Sequence, residues 1–124
     1  NAPIIEIPPE DYGIWFVDAM DNPDKYVDKI VRFKGRVMKP RGMGSKFFVP
    51  GRTAMTCCAD DTTFLGYVCK SAYAPKLTPG EWVEVTAKVG IEKRNEYQGE
   101  EGIVLDAEHV EQCDPLEDEM VYFN

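Results

Sequence analysis

The 124-residue chain carries 14 Lys and Arg against 22 Asp and Glu, which gives a formal net charge of −8. Its length fits one compact domain, and 44% apolar with 29% charged residues excludes a disordered chain. No run of about 18 apolar residues occurs, so no transmembrane helix is predicted within this sequence. Asn1-Ala2 is interpreted as the remnant of a cleaved tag, and a single domain is expected over residues 3–124.

The first predicted element is a helix. Its apolar residues recur at spacings of 3, 4, 7 and 8, which places them on one face; they are Tyr12, Trp15, Phe16, Ala19 and Met20. Asn22-Pro23 ends this helix, because a helix rarely continues through proline. The same pair is expected to start a short turn through Tyr26.

After Asp28 the apolar period changes to two, which is typical of strands. Five strands are predicted, at residues 31–38, 47–57, 63–69, 82–89 and 103–110. Gly35 permits a tight bend in the first, whereas Pro50-Gly51 is expected to interrupt the second. One helix and five strands with a bent first strand favour a closed barrel. The prediction is therefore a mainly β domain, a five-stranded barrel of the oligonucleotide/oligosaccharide-binding (OB) type with an N-terminal helix and an acidic C-terminal tail.

The charges are distributed unevenly along the chain. Residues 29–52 contain eight basic and no acidic residues, which leaves 14 − 8 = 6 basic and 22 acidic residues elsewhere. We expect the basic face of the first strand to pair with acidic residues of the last two strands. The OB fold makes single-stranded nucleic-acid binding the alternative function. The net charge of −8 disfavours it, since such binding needs a broad positive surface.

Two segments carry a resemblance to known proteins. Residues 22–37 match the pattern N-P-x-x-Y-x-x-K-x-V-x-x-x-G-x-V with which many OB domains open. Residues 52–61, RTAMTCCADD, resemble the R-x-x-M-T-C-C-A-A-D motif in the soluble C-terminal domain of YcgQ-like membrane proteins, with Asp60 in place of an alanine. The similarity extends over about Tyr12 to Tyr122.

The resemblance implies a role beside a membrane. Proteins of that family carry N-terminal transmembrane helices and are thought to work with a multi-spanning permease. It therefore implies a non-enzymatic soluble module of a membrane-anchored parent, accessory to a predicted membrane permease subunit and placed outside the cytoplasm. The motif segment is the hypothesised functional surface, and the residues assigned to it beside the cysteines are Arg52, Met55, Thr56 and Asp61.

Cys57 and Cys58 are the principal chemical lead. On a regular strand their side chains would point to opposite faces, so sharing one metal ion requires a turn, which residues 59–62 are suited to form. With Asp60 or His109 they would make a partial zinc set. The structural alternative packs one cysteine in the core and is favoured by this geometry. A redox pair is disfavoured, because the flanking acids oppose a thiolate and a disulfide between neighbours is strained.

Other chemistry has less support. His109 lies in phase with Leu105 and Ala107, which predicts a partly buried histidine rather than a ligand. The glycine-rich residues 42–46 lack the spacing of a phosphate-binding loop. Neither Ser45 nor Ser71 lies in a nucleophile motif, and no enzymatic activity is predicted.

Overall fold

The computed structural model describes residues 3–55 and 61–121. Within them the chain forms one α-helix, α1 (Tyr12–Asp21), and eight strands. The strands are β1 (Ile4–Glu6), β2 (Ile30–Met38), β3 (Phe47–Met55), β4 (Thr62–Gly66), β5 (Val68–Lys70), β6 (Trp82–Lys93), β7 (Glu101–Gln112) and β8 (Met120–Val121). Short 3-10 turns occupy Pro9–Asp11, Pro23–Lys25, Ala74–Lys76 and Asn95–Tyr97.

The strands close into a five-stranded barrel, which confirms the predicted OB-like fold with its N-terminal helix. β2 pairs antiparallel with both β3 and β6, and β6 pairs antiparallel with β7. β7 runs parallel to β5, and β5 pairs antiparallel with β3, which completes the ring. β4 and β5 together form the third predicted strand, divided at Tyr67.

The predicted interruption of β3 at Pro50-Gly51 is wrong, because the strand runs from Phe47 to Met55 without a break. Its first part pairs with β5 through Phe48 and its later part pairs with β4 from Gly51 onward. Pro50 lies between these two pairings, where its missing N–H costs little. At Gly51 an added Cβ would meet the Leu65 carbonyl oxygen, so glycine permits the close approach of β4.

Two short strands were not predicted. β1 pairs in parallel with β2, and β8 pairs in parallel with β3. Each is two or three residues long, too short to show a period of two. β8 buries Val121 against the barrel, which attaches the acidic C-terminal segment to β3.

Helix α1 packs four residues into the main core, namely Tyr12, Trp15, Phe16 and Ala19. The Tyr12 hydroxyl donates to the Leu65 carbonyl at 3.0 Å, and the Tyr67 hydroxyl donates to the Phe16 carbonyl. Burial raises the pKa of both phenols, so they stay protonated donors. Met20, which the sequence assigns to the same face, is instead 58% exposed.

A β-bulge changes the alternation of β7. Thr86 pairs with His109 and Ala87 with Ala107, so Glu108 is an extra residue in β7. Beyond the bulge the faces are exchanged, and His109 is exposed rather than partly buried as predicted.

Candidate functional site

Arg52, assigned from the sequence to the motif surface, is buried, with only 2% of its surface exposed. The rest of that surface is partly described: Met55 is half-buried and Asp61 is exposed. Thr56, Cys57, Cys58 and Asp60 lie outside the described residues. The predicted assignment of Arg52 to the motif surface is therefore wrong, because its side chain faces the protein interior.

The Arg52 guanidinium holds distant segments of the chain together. Its Nε donates to the Glu119 carbonyl at 3.2 Å, one Nη to the Pro9 carbonyl at 3.1 Å and the other to the Met120 carbonyl at 3.3 Å. Its Cζ also lies 5.7 Å from the centre of the Tyr12 ring. Desolvation lowers the pKa of Arg52, but an arginine keeps its charge in proteins. This contact joins β3 to both the turn before α1 and the C-terminal segment.

His109 is the described member of the predicted zinc set. Its side chain is 64% exposed, and its Nε2 lies 3.5 Å from a carboxylate oxygen of Glu111. β5 lies between β7 and β3 on one side of the barrel, and β6 and β2 lie between them on the other. β7 and β3 are not neighbours in the ring, so His109 does not lie on a strand paired with β3, which leads into the cysteine segment. Among residues 3–55 and 61–121, no three His, Cys, Asp or Glu side chains are grouped to hold a metal.

A second apolar cluster lies outside the barrel. Val49, Val68 and Val104 follow or precede residues of the main core in β3, β5 and β7, so they point to the opposite face. We call this group, together with the side chains packed on it, the outer cluster; its members are Met43, Phe47, Val49, Phe64, Val68, Tyr97 and Val104. Met43 comes from loop 39–46 and Tyr97 from loop 94–100, so two loops cover this face of the barrel.

Hydrogen bonds fix both loops over the outer cluster. The Arg94 guanidinium lies 4.0 Å from the centre of the Phe47 ring and donates to the Met43 carbonyl at 3.2 Å. The Tyr97 hydroxyl accepts from the Val68 N–H at 2.9 Å and donates to the Ile103 carbonyl at 2.6 Å. The corresponding strands and loops are those with which OB domains bind oligonucleotides. Here this face is filled by the chain's own side chains.

Met43 and Tyr97 lie between predicted strands, and neither was assigned from the sequence to the core or to a site. The available signal was a large apolar or aromatic side chain inside each glycine-containing turn, GMG at 42–44 and NEYQG at 95–99. Such a residue needs a place to be buried, although the sequence does not say where.

The basic face of β2 is neutralised by neighbouring acids, but the partners differ from those expected. Arg32 binds Glu6 of β1 at 2.6 Å, and Arg36 lies 3.9 Å from Glu119 of the C-terminal segment. Only Lys34 has the expected kind of neighbour, Glu84 of β6, directly opposite it in the sheet. The salt bridges of the two β2 arginines thus join β2 to β1 and to the C-terminal segment, and not to the last two long strands as expected.

No helix in the described parts of the chain is long and apolar enough to cross a membrane. The family model of the DUF1980 C-terminal domain matches residues 1–123, and no curated protein matches the sequence.

The chain is similar to several solved structures at low sequence identity. The chain is similar to a small single-stranded DNA-binding protein from Streptomyces coelicolor, with 15% identity, a TM-score of 0.39, and coverage of 69% of this chain and 94% of that one. It is similar to the mitochondrial single-stranded DNA-binding protein Rim1 from S. cerevisiae, with 12% identity, a TM-score of 0.36, and coverage of 68% and 93%. A chain assigned as an aspartyl-tRNA synthetase from Leishmania major Friedlin has 17% identity, a TM-score of 0.43, and coverage of 86% and 20%.

Proposed function

We propose, from the premise that this chain belongs to the DUF1980 C-terminal domain family, that it is a non-enzymatic binding module serving as the accessory domain of a membrane permease. In this proposal the parent protein is membrane-anchored, and the domain lies outside the cytoplasm. The observation that carries a partner-binding role, rather than the usual ligand binding of OB domains, is the outer cluster. It fills the face with which OB domains bind their ligands, so partner contact is left to other surfaces.

Several described side chains with reactive or charged groups are engaged in the fold, which supports a non-enzymatic role. The Cys69 thiol is buried in the core, and desolvation raises its pKa, so a thiolate is disfavoured. The hydroxyls of Tyr12 and Tyr67 donate to backbone carbonyls. The Arg52 guanidinium donates to the Pro9, Glu119 and Met120 carbonyls, and one Nη also lies 3.5 Å from the Asp118 carbonyl.

Single-stranded nucleic acid is the alternative ligand, and the filled outer cluster together with the ion-paired β2 face disfavours it. Fluorescence anisotropy of labelled dT20 at low salt tests this directly. We expect no binding at about 100 μM protein, a concentration at which ordinary non-specific binding is detectable. Binding that weakens steeply with salt would favour the nucleic-acid alternative.

Zinc handling is a refinement of this proposal, with Cys57, Cys58 and Asp60 or His109 as the ligands. Elemental analysis after zinc exposure should find about one zinc per chain in the wild type and none in Cys57→Ser/Cys58→Ser, and loss of zinc in His109→Ala would identify His109 as a ligand. A metal-free wild type would refute the zinc refinement and leave the accessory role standing.

The accessory role is tested in membranes. The full-length parent and the permease implied by the family resemblance are co-expressed, solubilised in detergent and purified through a tag on the parent. We expect the permease to co-purify with the intact parent and to be lost when residues 3–124 are deleted. Co-purification that survives the deletion would show that this domain does not carry the contact.

A further inference from the structure

The solvent side of helix α1 is apolar. Ile14, Val17 and Met20 are 57%, 43% and 58% exposed, and they follow one another at three-residue spacing. The opposite side of the same helix is packed in the main core. A surface helix normally turns polar residues to water, so an apolar face on both sides indicates a partner.

Two open grooves extend this apolar face beyond the ends of the helix. The groove beside Ile14 has a volume of about 540 Å³ and includes Pro9, Leu116 and Met120 in its walls. The groove beside Met20 has a volume of about 530 Å³ and includes Ile91. We call Ile14, Val17, Met20 and these two grooves the α1 band.

Acidic side chains surround the α1 band. They line the first groove through Glu10, Glu117 and Asp118 and the second through Asp24, Glu96 and Glu101, and Asp21 is exposed between them. The nearby cations are engaged within the protein. Arg52 lines the first groove but is 2% exposed and donates to backbone carbonyls. Lys25 binds Asp18 at 2.8 Å, and Arg94 binds Glu96 at 2.9 Å, which leaves the other carboxylates of the rim. The rim of the band is therefore negative.

We propose that the α1 band is a docking surface for a basic amphipathic helix of a partner protein. The apolar side of that helix covers Ile14, Val17 and Met20, and its Lys and Arg side chains meet the acidic rim. A row of exposed apolar side chains between two grooves fits the mode in which a helix lies along a hydrophobic surface. The inference rests on the proposed binding role and specifies the surface and the chemistry of the partner.

Charge complementarity selects this occupant over two others. A second copy of the chain would bring two acidic rims together, and like charges at an interface oppose association. An anionic lipid surface would be repelled for the same reason. A basic helix meets both the apolar row and the negative rim.

The test uses an 18-residue Leu/Lys peptide with its leucines on one helical face, labelled with fluorescein. Its comparators are a Ser/Lys peptide of equal charge and a Leu/Glu peptide with the same apolar face. We expect the Leu/Lys peptide to bind the 124-residue protein at physiological salt at least about tenfold more tightly than either comparator. Equal binding of the Ser/Lys peptide would overturn the proposal, because charge alone would then account for binding.

Variants of the band locate the site. Ile14→Gln/Val17→Gln/Met20→Gln should weaken Leu/Lys binding by about 30-fold or more, and Asp21→Lys/Asp24→Lys by about tenfold. The matched control is Met38→Gln/Tyr73→Gln, which changes residues that are 40% and 50% exposed elsewhere and should leave binding unchanged. Circular dichroism verifies that each variant is folded.

Three results would overturn the proposal. The first is unchanged peptide binding by the triple variant, and the second is loss of peptide binding in the control variant. The third is a dimer of the wild type in sedimentation that the triple variant abolishes, since a second copy of the chain would then be the occupant. A failed peptide test combined with domain-dependent co-purification of the permease would overturn only the α1 band. Peptide binding at the α1 band combined with co-purification of the permease that survives deletion of the domain would overturn only the permease role.

Discussion

The buried Arg52 makes a quantitative prediction about stability. Arg52→Met keeps most of the aliphatic stem and removes the guanidinium, together with its hydrogen bonds to the Pro9, Glu119 and Met120 carbonyls at 3.1–3.3 Å. A hydrogen bond to a charged donor contributes about 1.5–3 kcal/mol when its partner stays buried. Here the freed carbonyls belong to terminal segments that can turn to water, and the variant avoids desolvating a guanidinium. We therefore expect a net loss of about 3 kcal/mol, below the roughly 4.5–9 kcal/mol to which three such bonds would sum.

Urea unfolding followed by tryptophan fluorescence measures this loss. Three kcal/mol is a large part of the roughly 5–15 kcal/mol typical of a domain, and it corresponds to a decrease in Tm of about 10 °C. Arg52→Lys should recover part of the loss, because a compact ammonium cannot reach three divergent carbonyls. The matched control is Arg41→Met, an exposed residue of the same basic stretch, which should change stability by less than about 0.5 kcal/mol. A free energy of unfolding of Arg52→Met within about 1 kcal/mol of the wild-type value would show that the guanidinium contacts contribute little to stability.

Three further predictions concern the core and its edges. Gly51→Ala should destabilise the protein by about 2–3 kcal/mol, because the new Cβ would lie 2.6 Å from the Phe64 ring. Gly90→Ala, whose Cβ would meet only the Val104 carbonyl oxygen at 3.5 Å, should stay within about 1 kcal/mol of wild type in the same urea titration. Hydrogen bonds to the Asp18 carboxylate lower its pKa from 3.8 to about 2, and the largest contribution is that of Lys25. The stability difference between wild type and Asp18→Asn should therefore be complete above about pH 5 and shrink as the pH falls toward 2, as acid-dependent unfolding would show. Mass spectrometry after maleimide treatment should find Cys69 unlabelled in the folded protein and labelled in urea, since its thiol is buried and its pKa is raised.

The barrel was predictable because its strands alternate locally. The apolar period of two from Val31 to Val37, with Gly35 within it, is visible in any short window and matches β2 in the structure. The inward face of α1 follows in the same way from its helical spacing. Such patterns depend only on neighbours in sequence, which is why the fold class and most strand positions could be predicted.

The position of Arg52 could not be predicted, because its burial depends on partners far along the chain. A charged residue is normally exposed, and nothing near Arg52 in sequence indicates the carbonyls that surround it. Pro9 lies 43 residues before it, and Glu119 lies 67 residues after it. The burial of His109 was predicted wrongly for a different reason. One extra residue at the Glu108 bulge reverses the inward and outward alternation of β7, and the bulge leaves no trace in the apolar pattern of the sequence.

The basic stretch of residues 29–52 has a different meaning once the chain is folded. Arg52 is buried, Arg32 and Arg36 face carboxylates, and Lys34 lies opposite Glu84. The exposed cations that remain are therefore concentrated at loop 39–46, and this loop also closes over the outer cluster. A single strand of nucleic acid needs a continuous positive groove with accessible aromatic faces, whereas Phe47 is already covered by Arg94. The acidic rim of the α1 band, by contrast, adjoins exposed apolar side chains, so the negative net charge favours a basic protein partner at that face.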